Sequence, residues 1–139
     1  MKCFCPGMVL PMERFDAPVA RKSLSRIPAP GGGTAIGTAL QEGFKSLFKT
    51  GCERKFLIVV TDGESNTGPD PEATLKQLHE QTKGEVTVVF VAFDTSPVKF
   101  GFLKNYNGSV MEASNGPQLK DELSKIYKEQ ILLEAVPRK

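Results

Sequence analysis

Two apolar runs, rich in β-branched residues, stand out in the pattern of hydrophobic and polar positions along the chain. They cover residues 54–61 and 85–93, and each is almost continuous. Such a run is typical of a strand that is covered on both faces, as in a parallel sheet. Between them, residues 71–82 have a helical pattern in which Asp70 can cap the helix and Pro71 suits its first turn. This order predicts two neighbouring parallel strands joined by a crossover helix.

The segments on both sides continue the alternation of helices and strands. Thr34 begins a predicted helix that ends before Gly51. The apolar face of this helix comprises Ile36, Leu40, Phe44, Leu47 and Phe48. Towards the C-terminus we predict a short helix over 100–105, a short strand over 109–113 and a last helix that starts near Pro117.

The N-terminal region has a less regular pattern. We interpret Met8–Phe15 and Val19–Leu24 as two short strands, interrupted by Pro11 and Pro18. With these included, residues 1–139 are predicted to form a single α/β domain with a mainly parallel sheet.

Composition narrows the class of protein. The chain has 139 residues, of which 40% are hydrophobic and 24% charged, and this is enough to bury one core. The net charge of +2 comes from basic residues that are spread along the chain, so neither nucleic acid nor an anionic membrane is an expected partner. No apolar stretch reaches the length of a membrane span, and we find no signal-peptide pattern. We therefore expect a cytoplasmic protein.

The cysteines and the histidine also suit a cytoplasmic protein, in which thiols are kept reduced. Cys3, Cys5 and Cys52 are an odd number of cysteines and do not make a disulfide framework. Cys3 and Cys5 could form half of a zinc site, but there is no second pair, and His79 is the single histidine. Reduced thiols are the favoured interpretation.

Two loops carry the candidate chemistry, and both lie where parallel sheets bind ligands. The first covers residues 31–38 and reads Gly-Gly-Gly-Thr-Ala-Ile-Gly-Thr. Gly32 and Gly37 have the spacing of a phosphate-binding loop, but Thr38 replaces the lysine that binds the phosphate, which argues against a nucleotide. The second loop is Thr-Asp-Gly-Glu over 61–64, where a fixed carboxylate suits a hard cation such as Mg²⁺.

Both loops, in register with this order of elements, resemble the von Willebrand factor A domain family from about residue 16 to residue 131. The resemblance implies a Rossmann-like, three-layer α/β fold with a mainly parallel central sheet. In that family, metal-ion-dependent adhesion sites use a threonine of the Gly-Gly-Thr loop and an aspartate of the Thr-Asp-Gly turn. These correspond to Thr34 and Asp62, so the resemblance implies that both are metal ligands, with Mg²⁺ or Mn²⁺ as the cation.

One part of the family pattern is missing. The pattern begins with a central strand that ends in Asp-x-Ser-x-Ser, which supplies the principal ligands, and no such motif precedes Thr34. We therefore expect an N-terminally truncated domain with an incomplete metal site. Asp-Thr-Ser-Pro-Val over 94–98 is the nearest string, but it follows the later strand, and we interpret it as an ordinary loop.

Two interpretations of the candidate ligands stay open. Thr34 and Asp62 are ligands that another chain or an upstream segment completes, or Thr34 is a helix N-cap and Asp62 a turn former. The missing strand would also lie beside residues 54–61 and leave the edge of Phe56–Val60 unpaired. We therefore expect a helper strand, an oligomer or a rearranged sheet, and of these we favour a homodimer.

The resemblance favours a protein-interaction module over other functions. Its protein partner, which the sequence does not identify, would contact the loops around Thr34, Asp62 and Asp94. The alternative is a truncated relative without metal that serves as an assembly subunit. We do not expect an enzyme, because His79 lies within a helix and no serine has the context of a nucleophile elbow.

Overall fold

The computed structural model describes residues 14–25, 34–63 and 66–132. The helices are α1 (Ala17–Leu24), α2 (Ile36–Phe48), α3 (Pro71–Gln81) and α4 (Gly116–Lys125), and the strands are β1 (Lys55–Thr61), β2 (Val86–Phe93) and β3 (Gly108–Ala113). A 3₁₀ segment, Pro97–Tyr106, joins β2 to β3, and a π-helical segment, Ile126–Leu132, continues α4.

The chain divides into two compact units. The first comprises Met1–Glu53 and Ser65–Leu78, and the second comprises Arg54–Glu64 and His79–Lys139. The first unit therefore contains α1, α2 and most of α3, whereas the whole sheet belongs to the second unit. Among the described residues, no helix is long and apolar enough to cross a membrane.

The sheet has the order β1-β2-β3, and both pairs of strands are parallel. Lys55 pairs with Val86 and Thr61 with Ala92, so β2 runs beside β1 along the whole length of β1. This confirms the predicted pair of parallel strands, and α3 confirms the helix between them. At the start of the pair, the buried Lys55 places its Nζ 3.7 Å from an oxygen of Glu85.

Apolar side chains cover both faces of the sheet, as the continuous runs predict. One face carries Val89 and Val91, which are fully buried with Ala113 and Ile126. Residues of α4 and of the π-helical segment pack on this cluster, namely Leu119, Leu123 and Ile131. On the other face, the ring of Phe90 lies 5.3 Å from that of Phe100 and 6.4 Å from that of Phe102, measured between centroids. The result is the expected α/β arrangement, a parallel sheet between helical layers.

The C-terminal elements follow the sequence prediction closely. The short helix is a 3₁₀ segment that starts at Pro97, three residues earlier than predicted, and ends at Asn107 in the left-handed region with φ of 57°. β3 and α4 lie where they were predicted, and the Asn115 side chain caps α4 by accepting a hydrogen bond from the Gln118 amide.

The first unit corrects the prediction for the N-terminal region. Val19–Leu24 is part of helix α1 and not a strand, while most of Met8–Phe15 lies outside the described residues. Asp16 caps this helix, because its Oδ1 accepts a hydrogen bond of 3.2 Å from the Val19 amide. Pro18 therefore lies in the first turn, where the missing N–H has no helical partner to lose.

Helix α2 begins at Ile36 and buries most of its predicted apolar face. The buried positions are Ile36, Leu40, Phe44 and Leu47, whereas Phe48 is 41% exposed. Helix α3 starts as predicted, since Asp70 Oδ2 accepts a hydrogen bond of 2.9 Å from the Ala73 amide.

A prediction follows from the close approach of backbone at Gly108. A Cβ there would lie 2.9 Å from the Val88 carbonyl oxygen and 3.0 Å from that of Leu103, and neither carbonyl can move without disturbing its element. We expect Gly108→Ala to lower the free energy of unfolding by about 1–3 kcal/mol. The matched control is Gly101→Ala, whose Cβ meets nothing within 4 Å, and it should stay within about 0.5 kcal/mol of the wild type. Urea unfolding measures both, and equal effects would contradict this account.

Candidate functional site

The carboxyl end of the sheet carries two of the candidate residues. Because the strands are parallel, the loops that follow them leave the sheet at the same edge. Asp62 directly follows β1 and Asp94 directly follows β2, and both side chains are exposed. The register sets Thr61 beside Ala92, so the two carboxylates extend from neighbouring strands of the second unit.

The turn that holds Asp62 is built by the preceding threonine. Thr61 is buried, and its hydroxyl donates to the Gly63 carbonyl at 3.0 Å and accepts from the Gly63 amide at 3.3 Å. The hydroxyl thus spans the turn and fixes the backbone on both sides of Asp62. In consequence, the Asp62 carboxylate projects from a turn whose shape another residue maintains.

The loop after β2 is fixed in a different way. Asp94 has a φ of 50°, in the left-handed region, and its amide donates to the Ala113 carbonyl of β3 at 2.7 Å. Aspartate tolerates this region better than most residues. Ser96 caps the 3₁₀ segment, with its Oγ accepting a hydrogen bond from the Val98 amide at 3.3 Å. Residues 94–96 thus form a loop, as predicted for 94–98, whereas Pro97 and Val98 already belong to the 3₁₀ segment.

Thr34 belongs to the first unit, and its surroundings differ from the prediction. Its amide donates to Asn66 Oδ1 at 2.7 Å, and its carbonyl accepts from the Asn66 amide at 2.9 Å. The N-cap of α2 is Ala35, which makes no side-chain capping bond. The interpretation of Thr34 as the N-cap is therefore wrong. Its main chain instead joins the start of α2 to the loop before α3.

Close packing explains Gly37, which lies in the first turn of α2. A Cβ on Gly37 would collide with the carbonyl oxygen of Pro69 and lie 3.0 Å from its carbonyl carbon and its Cγ. Gly68, with a φ of 77°, in turn lies against Thr38, whose Oγ1 would be 3.0 Å from an added Cβ. In the first unit, Gly37 and Gly68 thus allow two segments of the chain to pack closely. This packing explains both glycines without a bound phosphate.

The carboxylate, thiol and imidazole groups of the described residues do not cluster as the ligands of a cation would. Within the described residues, no group of three or more histidine, cysteine, aspartate or glutamate side chains could hold a metal ion. A hard cation such as Mg²⁺ takes about six oxygen ligands, and Thr34 and Asp62 supply too few. Their assignment as ligands stays a prediction.

Comparison with known proteins identifies relatives of this chain. The family description that matches residues 11–128 is the von Willebrand factor type A domain. No curated protein matches at a significant level.

Solved structures show the same fold. One is that of proximal thread matrix protein 1 from the mussel byssus with a zinc-occupied MIDAS motif, at 25% identity and a TM-score of 0.64. The alignment covers 88% of this chain and 32% of the mussel chain, so this chain spans about a third of that protein's length. Another is the SpRpn10 VWA domain, at 14% identity and a TM-score of 0.59, with 79% of this chain and 60% of that chain covered; this likeness shows the fold alone.

The link between Thr34 and Asn66 leads to a test of the loop. In Asn66→Ala, the Thr34 amide loses its acceptor, and we expect the free energy of unfolding to fall by about 0.5–1.5 kcal/mol. Asn66→Asp keeps an oxygen acceptor at the same position and should lose less than half of this amount. Urea unfolding measures both variants, and a loss that is equal in the two would show that the side-chain acceptor does not matter.

The donor set leads to a test of metal binding. For the whole chain we expect Mg²⁺ or Mn²⁺ to bind no more tightly than about 1 mM, because Thr34 and Asp62 leave most ligand positions unfilled. Isothermal titration calorimetry measures the affinity. Micromolar binding that Asp62→Ala abolishes and Asp121→Ala preserves would mean that further residues complete the site.

Proposed function

Because this chain belongs to the von Willebrand factor type A domain family, we propose that it is a protein-interaction module whose partner binds the loops at the carboxyl end of the sheet. Domains of this family generally act as interaction modules. The family alone does not select a surface, so the choice of surface depends on the geometry of the loops.

The observation that carries the proposal is the pair of exposed carboxylates on fixed turns. Asp62 and Asp94 follow neighbouring parallel strands, and each backbone is held by hydrogen bonds that do not use the carboxylate in question. Groups held in this way lose little conformational entropy when a partner binds. A partner with basic or hydrogen-bond-donating groups would suit this surface.

A divalent cation is the finer part of the proposal. The mussel protein, at 25% identity, has a structure with a zinc-occupied MIDAS motif, which supports a cation in the same role here. Thr34 and Asp62 would be its ligands in this chain, and Mg²⁺ or Mn²⁺ the cation. Thr34 and Asp62 supply too few of the roughly six oxygens, and the described carboxylates, thiols and imidazoles form no cluster of three, so the remaining ligands would come from the partner or from other parts of the protein.

The second candidate function is an assembly subunit that uses no metal. The same incomplete donor set favours it, because the turns at Thr34 and Asp62 have structural explanations of their own. The two candidates differ in one respect that can be measured, which is whether a chelator weakens partner binding.

We do not propose an enzymatic activity. His79 is the single histidine, and its ring lies edge-on to that of Tyr106, with 5.8 Å between the ring centroids. Gly84 packs against the same ring, since a Cβ there would lie 3.1 Å from its Cε1. These contacts give His79 a packing role. A cytoplasmic location stays a prediction from the sequence.

Partner binding by the loops can be tested by removing the charges without changing the shapes. A partner is first captured with the immobilised wild type. We expect it to bind the double variant Asp62→Asn with Asp94→Asn at least about tenfold more weakly, because two charge-assisted contacts are lost. The matched control is Glu53→Gln with Asp121→Asn, which removes two exposed carboxylates elsewhere and should bind like the wild type.

The affinity of the purified partner, measured by surface plasmon resonance with and without a chelator, decides between the two candidates. A loss on chelation supports the cation, and no change supports the assembly subunit. Equal binding by the loop variant and the control would contradict the proposed surface.

A further inference from the structure

We propose that β1 is a dimerisation strand: two copies of this chain join their sheets by antiparallel pairing of β1 with β1, about a two-fold axis at Ile58. This goes beyond the proposed partner site, because the surface is the edge of the sheet and the occupant is a second copy. The inference depends on three properties of β1, which are its pairing, its composition and the charges at its two ends.

The first property is that β1 has one partner strand among the described residues. It pairs with β2 on one side, and no other described strand pairs with it. Successive residues of a strand direct their backbone groups to opposite sides. Within the described part of the chain, the N–H and C=O groups of Phe56–Val60 on the other side of β1 face no second strand, and another strand could pair with them.

The second property is that β1 has the composition of a central strand. Phe56–Val60 is a run of five apolar residues with no charge, proline or glycine. Edge strands normally carry charged residues or proline, which discourage pairing with other chains. The burial of β1 is lower than its apolar composition would suggest. Every residue of Val88–Ala92 in β2 is fully buried, whereas Leu57 is only half-buried and Val60 is 45% exposed.

The third property is that the two ends of β1 carry opposite charges. The exposed Arg54 precedes the strand and the exposed Asp62 follows it. An edge-to-edge dimer with closed two-fold symmetry requires antiparallel strands. With the axis at Ile58, Arg54 of each copy lies opposite Asp62 of the other, and Phe56 opposite Val60. One register thus joins apolar residues in the centre and opposite charges at both ends, and this complementarity is why a second copy is the proposed occupant.

Sedimentation velocity on the whole chain tests the state of association. We expect a dimer at about 50 μM, which is well above the dissociation constant of a complex of micromolar affinity. Val60→Lys should convert it into a monomer, because each copy then places a lysine in the apolar pairing surface. Val98→Lys is the matched control, since Val98 is 83% exposed and lies outside β1, and it should stay dimeric. Far-ultraviolet circular dichroism confirms that both variants are folded.

A charge exchange tests the register. Arg54→Glu should weaken the dimer by about tenfold, because two attractive contacts become repulsive. Adding Asp62→Arg to the same chain should restore the affinity to within about threefold. A wild-type monomer at 50 μM would overturn the proposal. So would a dimer that tolerates Val60→Lys, or protection of the β1 amides from hydrogen exchange that does not rise with concentration, since a segment of the same chain would then cover the edge.

Discussion

The full burial of β2 is the constraint on which the rest of the sheet depends. Its residues Val88–Ala92 expose nothing to solvent, so its polar backbone must find partners inside the protein. β1 and β3 meet this requirement from the two sides, and both run parallel to β2. The loops that follow β1 and β2 therefore leave the sheet at one edge and bring Asp62 and Asp94 to the same end. The position of the candidate site is thus a consequence of how one buried strand satisfies its hydrogen bonds.

The composition of β1 does not match its pairing. Its apolar residues resemble those of β2, but only one side of its backbone is paired within the described part of the chain. An apolar strand gains stability from coverage on both faces and from a ladder on both sides. In the proposed dimer, pairing with a second copy would give β1 this second ladder through the same hydrogen bonds that build the sheet.

Periodicity predicted the elements whose stability comes from their own apolar pattern, such as β2 and α4. It also placed Asp62 directly after a strand, because the end of β1 could be recognised. It failed for Val19–Leu24, which belongs to a helix that the Asp16 side chain caps. It also failed for Thr34, whose partner Asn66 lies 32 residues away. No local signal in the sequence reports such a contact, because only the folded chain brings the two loops together.

Asp62 belongs to both proposals. Its carboxylate is part of the proposed partner surface, and in the proposed dimer it lies opposite Arg54 of the second copy. A single carboxylate cannot make its strongest contact with an Arg54 of a second copy and with a partner or cation at the same time. Binding at one surface should therefore weaken binding at the other, and thermodynamic linkage requires the same factor in both directions. For exposed charges this factor is modest, because solvent screens each contact. The two proposals together thus predict that association through β1 and partner binding at the loops are coupled through one residue, whereas the apolar centre of β1 would act on the dimer alone.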